Sequence, residues 1–494
     1  MKRHRYAQSV LLAVLIASAV SCAADTPTVD PTGTQANTES TVAAEKEVPT
    51  DPIPQSLPDI TFDGAAFRFI KWSESSAYDL TEFATDGLNG ELLNDEVYKR
   101  NQILESRYDV VISSENHAQP IQQIRKLVTA GDTTYQVVTD WPSRMASAAS
   151  SGVLYDMNEV PYLDFDAVWW DHNAAESYTI LGKKYFTTGD VLLFDKQRVF
   201  CVIVNRTLAD MLQIDNIYDT VRSGKWTIDL FNTYCEMAVS DLDGDGKLGG
   251  INDRFGLISG SNTCTPYLLF GMDNSYSELD KDGNPVPAIA NEHMINSIEK
   301  LGETIFDETV TIHNEQIYTT IGINDRELFQ QRRGLFNTTV THILRLMDMD
   351  DNYGVIPQPK YDEAQENYIS AGSGDWSAAL GIPSSLDEVQ LEMTGILLEA
   401  MAALSHETTY PAFVEDILMA KKAPDADSVE MLRLIYSNIQ YDLYDVFKVG
   451  SIDQVMLKAL NDQKGKNVMS LFESNSDKFT KSYDKLLEKF RDLE

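Results

Sequence analysis

The chain has 494 residues, 43% of them hydrophobic and 23% charged, which suits two lobes or two to three domains rather than one core and excludes wholesale disorder. Its 40 Lys and Arg stand against 76 Asp and Glu, a net charge of −36, and such a field repels phosphate backbones, so nucleic acid is excluded as a bulk partner. Four cysteines exclude a disulfide-dense scaffold.

The N-terminus reads as an export signal. Lys2, Arg3 and Arg5 form a basic region ahead of the apolar run Val10–Val20, which suits a secretory signal and is short for a transmembrane helix. Small residues at Ala19-Val20-Ser21 precede Cys22 and resemble a bacterial lipobox, although Ala19 stands where Leu is usual. The expectation is a signal peptide over 1–21, a lipidated Cys22, and a flexible Thr/Pro-rich tether over 22–58. This places the protein on the extracytoplasmic face of a bacterial membrane, and no other stretch is apolar enough to span one.

Beyond the tether, Ala66–Ile70 reads as a strand, Glu91–Tyr108 as a helix and Asp109–Ile112 as a second strand. A helix over Ile121–Ala130 and a strand over Tyr135–Thr139 follow. Short apolar strands alternating with amphipathic helices predict an α/β fold with mainly parallel sheets. Val199–Val204 opens a second α/β region, and Leu391–Leu404 and the last hundred residues read mostly as helix. In such folds ligands sit beyond the carboxyl ends of strands, where Trp72, Asp140 and Trp141 fall.

Ordered fragments along the chain carry a resemblance: Leu93–Asn101, Tyr135–Val138, Trp169–Asp171, Tyr185–Asp190, Val204–Arg206, Gly224–Thr227, Tyr353–Asp362 and Gly381–Pro383. Together they resemble the bacterial extracellular solute-binding proteins of the sugar-binding type (family 1), lipoprotein receptors of ABC importers. The resemblance implies a two-lobed, type II periplasmic-binding-protein-like fold with a ligand cleft between the lobes. It implies a first lobe over 59–188 and about 354–404, a second over about 199–352 and 405–494, and a crossing over 189–198. It also implies no enzymatic activity, an oligosaccharide as the small-molecule solute, ABC permease subunits as partners and a monomeric receptor. A secreted acidic glycosidase and a receptor-like sensor subunit are the competing readings. With 76 acidic residues, paired carboxylates arise by chance, so no glycosidase assignment follows from them.

Asp241-Leu242-Asp243-Gly244-Asp245-Gly246-Lys247 places oxygen donors at positions 1, 3 and 5, glycine at 6 and the Lys247 backbone carbonyl at 7, the opening of an EF-hand-type calcium loop. Asn252 stands where the closing Glu is usual, and Asp253 is the candidate closing ligand. The expected ion is a structural calcium. Pyranose rings pack on indoles while their hydroxyls seek carboxylates, so Trp72, Asp140, Trp141, Asp190, Asp375 and Trp376 are the cleft candidates. Trp226 instead belongs at a helix start capped by Thr227, and Trp169-Trp170 reads either as support between lobes or as rim. The histidines lack zinc-hydrolase spacing and no nucleophile elbow or phosphate loop occurs. Cys235 and Cys264 read equally as a bridge or as two buried thiols.

Overall fold

The computed structural model describes residues 52–73, 79–281, 285–349, 351–419, 426–462 and 464–493. The expected signal peptide, Cys22 and most of the tether lie outside the described residues.

The first α/β unit follows the predicted elements closely. Strand β1 (Ala65–Trp72) runs parallel to β2 (Val110–His117) on one side and to β3 (Val137–Asp140) on the other. The helix Leu92–Tyr108 stops at Asp109, which takes a left-handed conformation (φ 47°) and feeds the chain directly into β2. Pro120 occupies the first turn of the helix Pro120–Ala130, and Gly131 closes it at φ 68° with its N–H returned to the last carbonyls. The core here is aromatic: Phe67 and Phe83 flank Phe69, whose ring stacks on that of Phe83 at 4.3 Å.

Five strands form a second sheet: β4 (Phe200–Asn205), β5 (Phe255–Ser259), β8 (Thr311–His313), β9 (Gly334–Val340) and β10 (Tyr353–Ile356). Between β5 and β8 lies a small hairpin, β6 (Ser277–Leu279) with β7 (Pro285–Pro287). The sheet order is β10-β4-β9-β5-β8, with β9, β5 and β8 parallel and β4 antiparallel to both of its neighbours. Buried Trp226, Phe231 and Phe336 sit against one another in its core.

Three segments join the sheets. Thr188–Val199 leads from the first to the second, and the chain returns to the first through β11 (Ser370–Ala371) and β12 (Ala379–Gly381). β12 is antiparallel to β3 at the edge of the first sheet. The third passage follows the helix Glu388–Glu407 and runs through β13 (Ile439–Gln440), which pairs with β11 outside both sheets. Both sheets are mixed and helix-flanked, and the fold is of the type II periplasmic-binding-protein-like class.

Three boundaries differ from expectation. Ile53 and Leu57 are buried in the first core, so the tether ends before Ile53 and not at residue 58. The return near residue 354 comes later, because β10 pairs with β4 and the chain regains the first sheet only at β12. The terminal helices do not all join the second lobe. Thr409–Met419 packs on Leu92–Tyr108 and Glu388–Glu407, while Val468–Arg491 starts in the second core and ends with the Phe490 ring tilted against Tyr185, centroids 5.3 Å apart.

Gly189 has a specific steric role in the first crossing. Its φ is not left-handed; a Cβ there would stand 2.5 Å from the Trp169 carbonyl oxygen and 2.9 Å from the Trp170 ring. The glycine therefore permits close approach to the Trp169–Trp170 backbone.

Candidate functional site

The two sheets present their carboxyl-terminal strand ends to one cavity of about 540 Å³. From the first sheet come Trp72, the last residue of β1, and Trp141, which follows β3. Since β12 is antiparallel to β3 with Ala379 opposite Asp140, residues entering β12 lie at the end where β3 finishes, which brings Trp376 to the same wall. The second sheet behaves alike. Phe200 pairs with Val340, so Arg198 before β4 and His342 after β9 meet at one end. Thr263 and Cys264 come from the loop after β5, Asn314 follows β8, and Asn324 to Arg326 start the helix Asp325–Gln330.

The Trp72 ring lies 5.5 Å from Trp141 and 5.5 Å from Phe194, and the Arg198 guanidinium sits 5.2 Å from the Phe194 ring. Trp376 is 43% exposed, so its face is open to a guest. The Trp72 indole N–H is buried without a hydrogen-bond partner among the described residues.

Asp140 does not line this cavity. It is fully buried, accepting from the Trp141 N–H at 2.8 Å, the Ile121 N–H at 3.3 Å and the Arg144 guanidinium at 3.1 Å. Burial pushes its carboxyl up, opposed by these donors. Arg144 in turn lies over the Trp141 ring, 3.9 Å from its centroid, so Asp140 positions the indole. Asp375 stands beside Trp376 but points elsewhere, accepting from Ser143 Oγ at 2.5 Å and pairing with Lys448 at 2.8 Å. Asp190 lies at the first crossing, 2.6 Å from His406 Nδ1, and this contact draws the imidazole pKa upward. Of the six candidates, the structure gathers the three tryptophans in one cavity, sets Asp140 and Asp375 behind or beside them, and leaves Asp190 at the first crossing with His406.

Sequence reasoning missed the second wall, where Arg198, Arg326 and His342 gather from separated loops with no motif among them. His342 is pushed down to about 3 by burial and by the neighbouring charges of Arg198, Arg345 and Arg326. Asp325, the one carboxylate in the lining among the described residues, accepts from Asn337 at 3.3 Å, and burial pushes its pKa up. Cys264 and Cys235 are free thiols, as is Cys201, and burial pushes Cys264 up to about 12. The Trp169 and Trp170 indoles both donate to buried Glu399 at 3.0 Å, which makes them support of the first lobe, not rim. Trp226 is fully buried beside its Thr227-capped helix.

In the 241–253 loop, carboxylate oxygens of Asp241, Asp243 and Asp253 lie within 4.8 Å of one another. Asp245 stands outside this group and accepts from the Lys247 N–H. N–H donation from Gly246 and Gly244 holds the Asp241 carboxyl below its usual value. Buried Asp253 lies two residues before β5, and Arg333 clamps its carbonyl at 2.7 Å and that of Ile251 at 2.6 Å.

Solved structures share this fold. An ABC substrate-binding protein of Listeria monocytogenes in complex with cycloalternan matches with a TM-score of 0.55 at 11% identity, over 85% of this chain and 100% of its own. A cyclic α-maltosyl-1,6-maltose binding protein of Arthrobacter globiformis matches at 0.59 and 11%, with the same shares. The galacto-N-biose/lacto-N-biose I-binding protein of a Bifidobacterium longum ABC transporter, in complex with lacto-N-biose, matches at 0.55 and 11% over 86% and 98%. These neighbours are binding proteins rather than enzymes. No protein-family model and no curated protein matches the chain. No helix among the described residues is long and apolar enough to cross a membrane.

Proposed function

We propose that the protein is a receptor that captures a saccharide between its two lobes and presents it to the permease subunits of an ABC importer. The observation that carries this reading is the cavity itself. Three indoles open into a space between two sheets, at the strand ends where α/β folds bind ligands. Ligand contacts with both walls would favour a closed state, which a permease can read. Likeness in fold to sugar-binding components of ABC transporters supports the same conclusion. Lipid on Cys22 would hold the receptor at the extracytoplasmic membrane face, with the segment up to Ile53 as its tether.

Calcium belongs to this reading as a structural ion. Two oxygens each about 2.4 Å from one ion lie at most about 4.8 Å apart, and the Asp241, Asp243 and Asp253 carboxylates meet that limit. The all-oxygen donor set suits a hard cation, and Asp253 would tie the loop to β5. The test of the receptor reading is a saccharide panel scored both by thermal shift and by new reducing ends. Binding without turnover supports it, whereas repeated cleavage at catalytic protein levels defeats it.

A further inference from the structure

The cavity is electrostatically opposite to the chain that encloses it. A net charge of −36 surrounds a pocket whose charged lining, among the described residues, comprises two guanidiniums, Arg198 and Arg326, and one carboxylate, Asp325. At physiological ionic strength charges farther than about 8 Å are screened, so the lining and not the distant surface sets the field a guest meets. The buried His342 imidazole is pushed down first by burial and then by Arg198, Arg345 and Arg326, which stand close enough to act against its proton.

Hydrogen-bonding capacity is biased in the same direction. Arg326 spends one nitrogen on the Leu346 carbonyl at 3.1 Å, while its buried Nε has no partner among the described residues. The Trp72 indole N–H on the facing wall is a second unpartnered donor. Asp325 already accepts from Asn337 and is disfavoured as an anion by burial. A neutral sugar brings hydroxyls that both donate and accept, and such guests are held best where carboxylates take their protons. Arg326 Nε and Trp72 Nε1 are thus unpartnered donors among the described residues, and an ionised carboxylate is a guest that only accepts.

We propose that the cargo is an acidic saccharide, with its pyranose rings on Trp72, Trp141 and Trp376 and a carboxylate of a uronic acid unit on Arg326. This rests on the receptor reading above and narrows its ligand. The charge-assisted contact supplies selectivity for the acid, and the indoles supply affinity that is indifferent to charge.

The test is calorimetry and thermal shift with di- to tetrasaccharides of galacturonate, glucuronate, mannuronate and guluronate, each beside its methyl ester, and with maltotriose as a neutral control. The expected result is binding of at least one acid, weakened at least tenfold by esterification and further by added salt. Arg326→Gln should cost that acid at least tenfold in affinity and the ester much less, and Arg326→Lys should recover part of the loss. Comparison of acid and ester on the unaltered protein is decisive however the variants fold. Maltotriose or the esters binding as tightly as the acids would overturn the acidic cargo while leaving a sugar receptor in place. No shift with any saccharide, acidic or neutral, would overturn the acidic cargo and the sugar-receptor reading together.

Discussion

Replacing Trp376 by alanine separates a binding indole from a packing one. A tryptophan side chain presents up to about 250 Å²; with 43% of Trp376 exposed, about 100 Å² is open to a guest. At about 25 cal/mol per Å², a guest covering half to all of that face gains roughly 1.3 to 2.5 kcal/mol. Trp376→Ala should therefore weaken binding roughly eight- to seventy-fold, read by calorimetry with the best saccharide of a screen, and should cost about 1 kcal/mol of stability in urea. Trp226 is the control. It is fully buried, with its indole N–H on the Pro357 carbonyl at 2.9 Å, so Trp226→Ala should cost about 3–5 kcal/mol. Unchanged affinity in Trp376→Ala with a stability loss like that of Trp226→Ala would refute the placement of this indole in the binding wall.

Chelation should lower the melting temperature, since a calcium concentration one hundred times its Kd contributes about 2.7 kcal/mol; Asp253→Asn should reproduce the drop, and an unchanged melt with no metal by elemental analysis would remove the ion. Burial raises the Glu399 carboxyl to about 7 against about 4.3 when unfolded, so the folded state binds the extra proton and stability from this group falls as pH rises from about 4 to 7. Glu399→Gln, neutral throughout, should flatten that part of the melting-temperature profile, and an identical slope would contradict the shift. Gly189→Ala should cost about 1–3 kcal/mol in urea unfolding because the obstacle is a backbone oxygen at 2.5 Å, and a neutral substitution would mean that the crossing is looser than described.

The first α/β unit was legible because its signals are local. Pro120 and Gly131 punctuate one helix, and apolar periodicity predicts β1 and the helix Leu92–Tyr108 to within two residues at most ends. Membership of β10 was not legible, since Tyr353–Ile356 reads as a strand wherever it pairs and only its partner β4, some 150 residues earlier, assigns it. The same limit governed the site. Trp72 and Trp141 follow from their strand ends, and Trp376 came from likeness to a family. The aspartates were chosen by type, yet Asp140 is consumed by the N–H groups and guanidinium around it. Arg198, Arg326 and His342 converge through sheet register alone, as with Phe200 opposite Val340, and no spacing in the chain announces that. Ile53 and Leu57 were hidden by their prolines, which make a packed segment read like the tether before it.

In the proposed function, capture and delivery both depend on closure of one sheet's wall onto the other. Small-angle scattering of the protein in calcium-containing buffer, with and without a saturating saccharide that calorimetry shows to bind, measures it directly. A smaller radius of gyration is expected in the loaded state, reversed when the sugar is dialysed away. Superimposable profiles at full occupancy would contradict closure and the capture that depends on it.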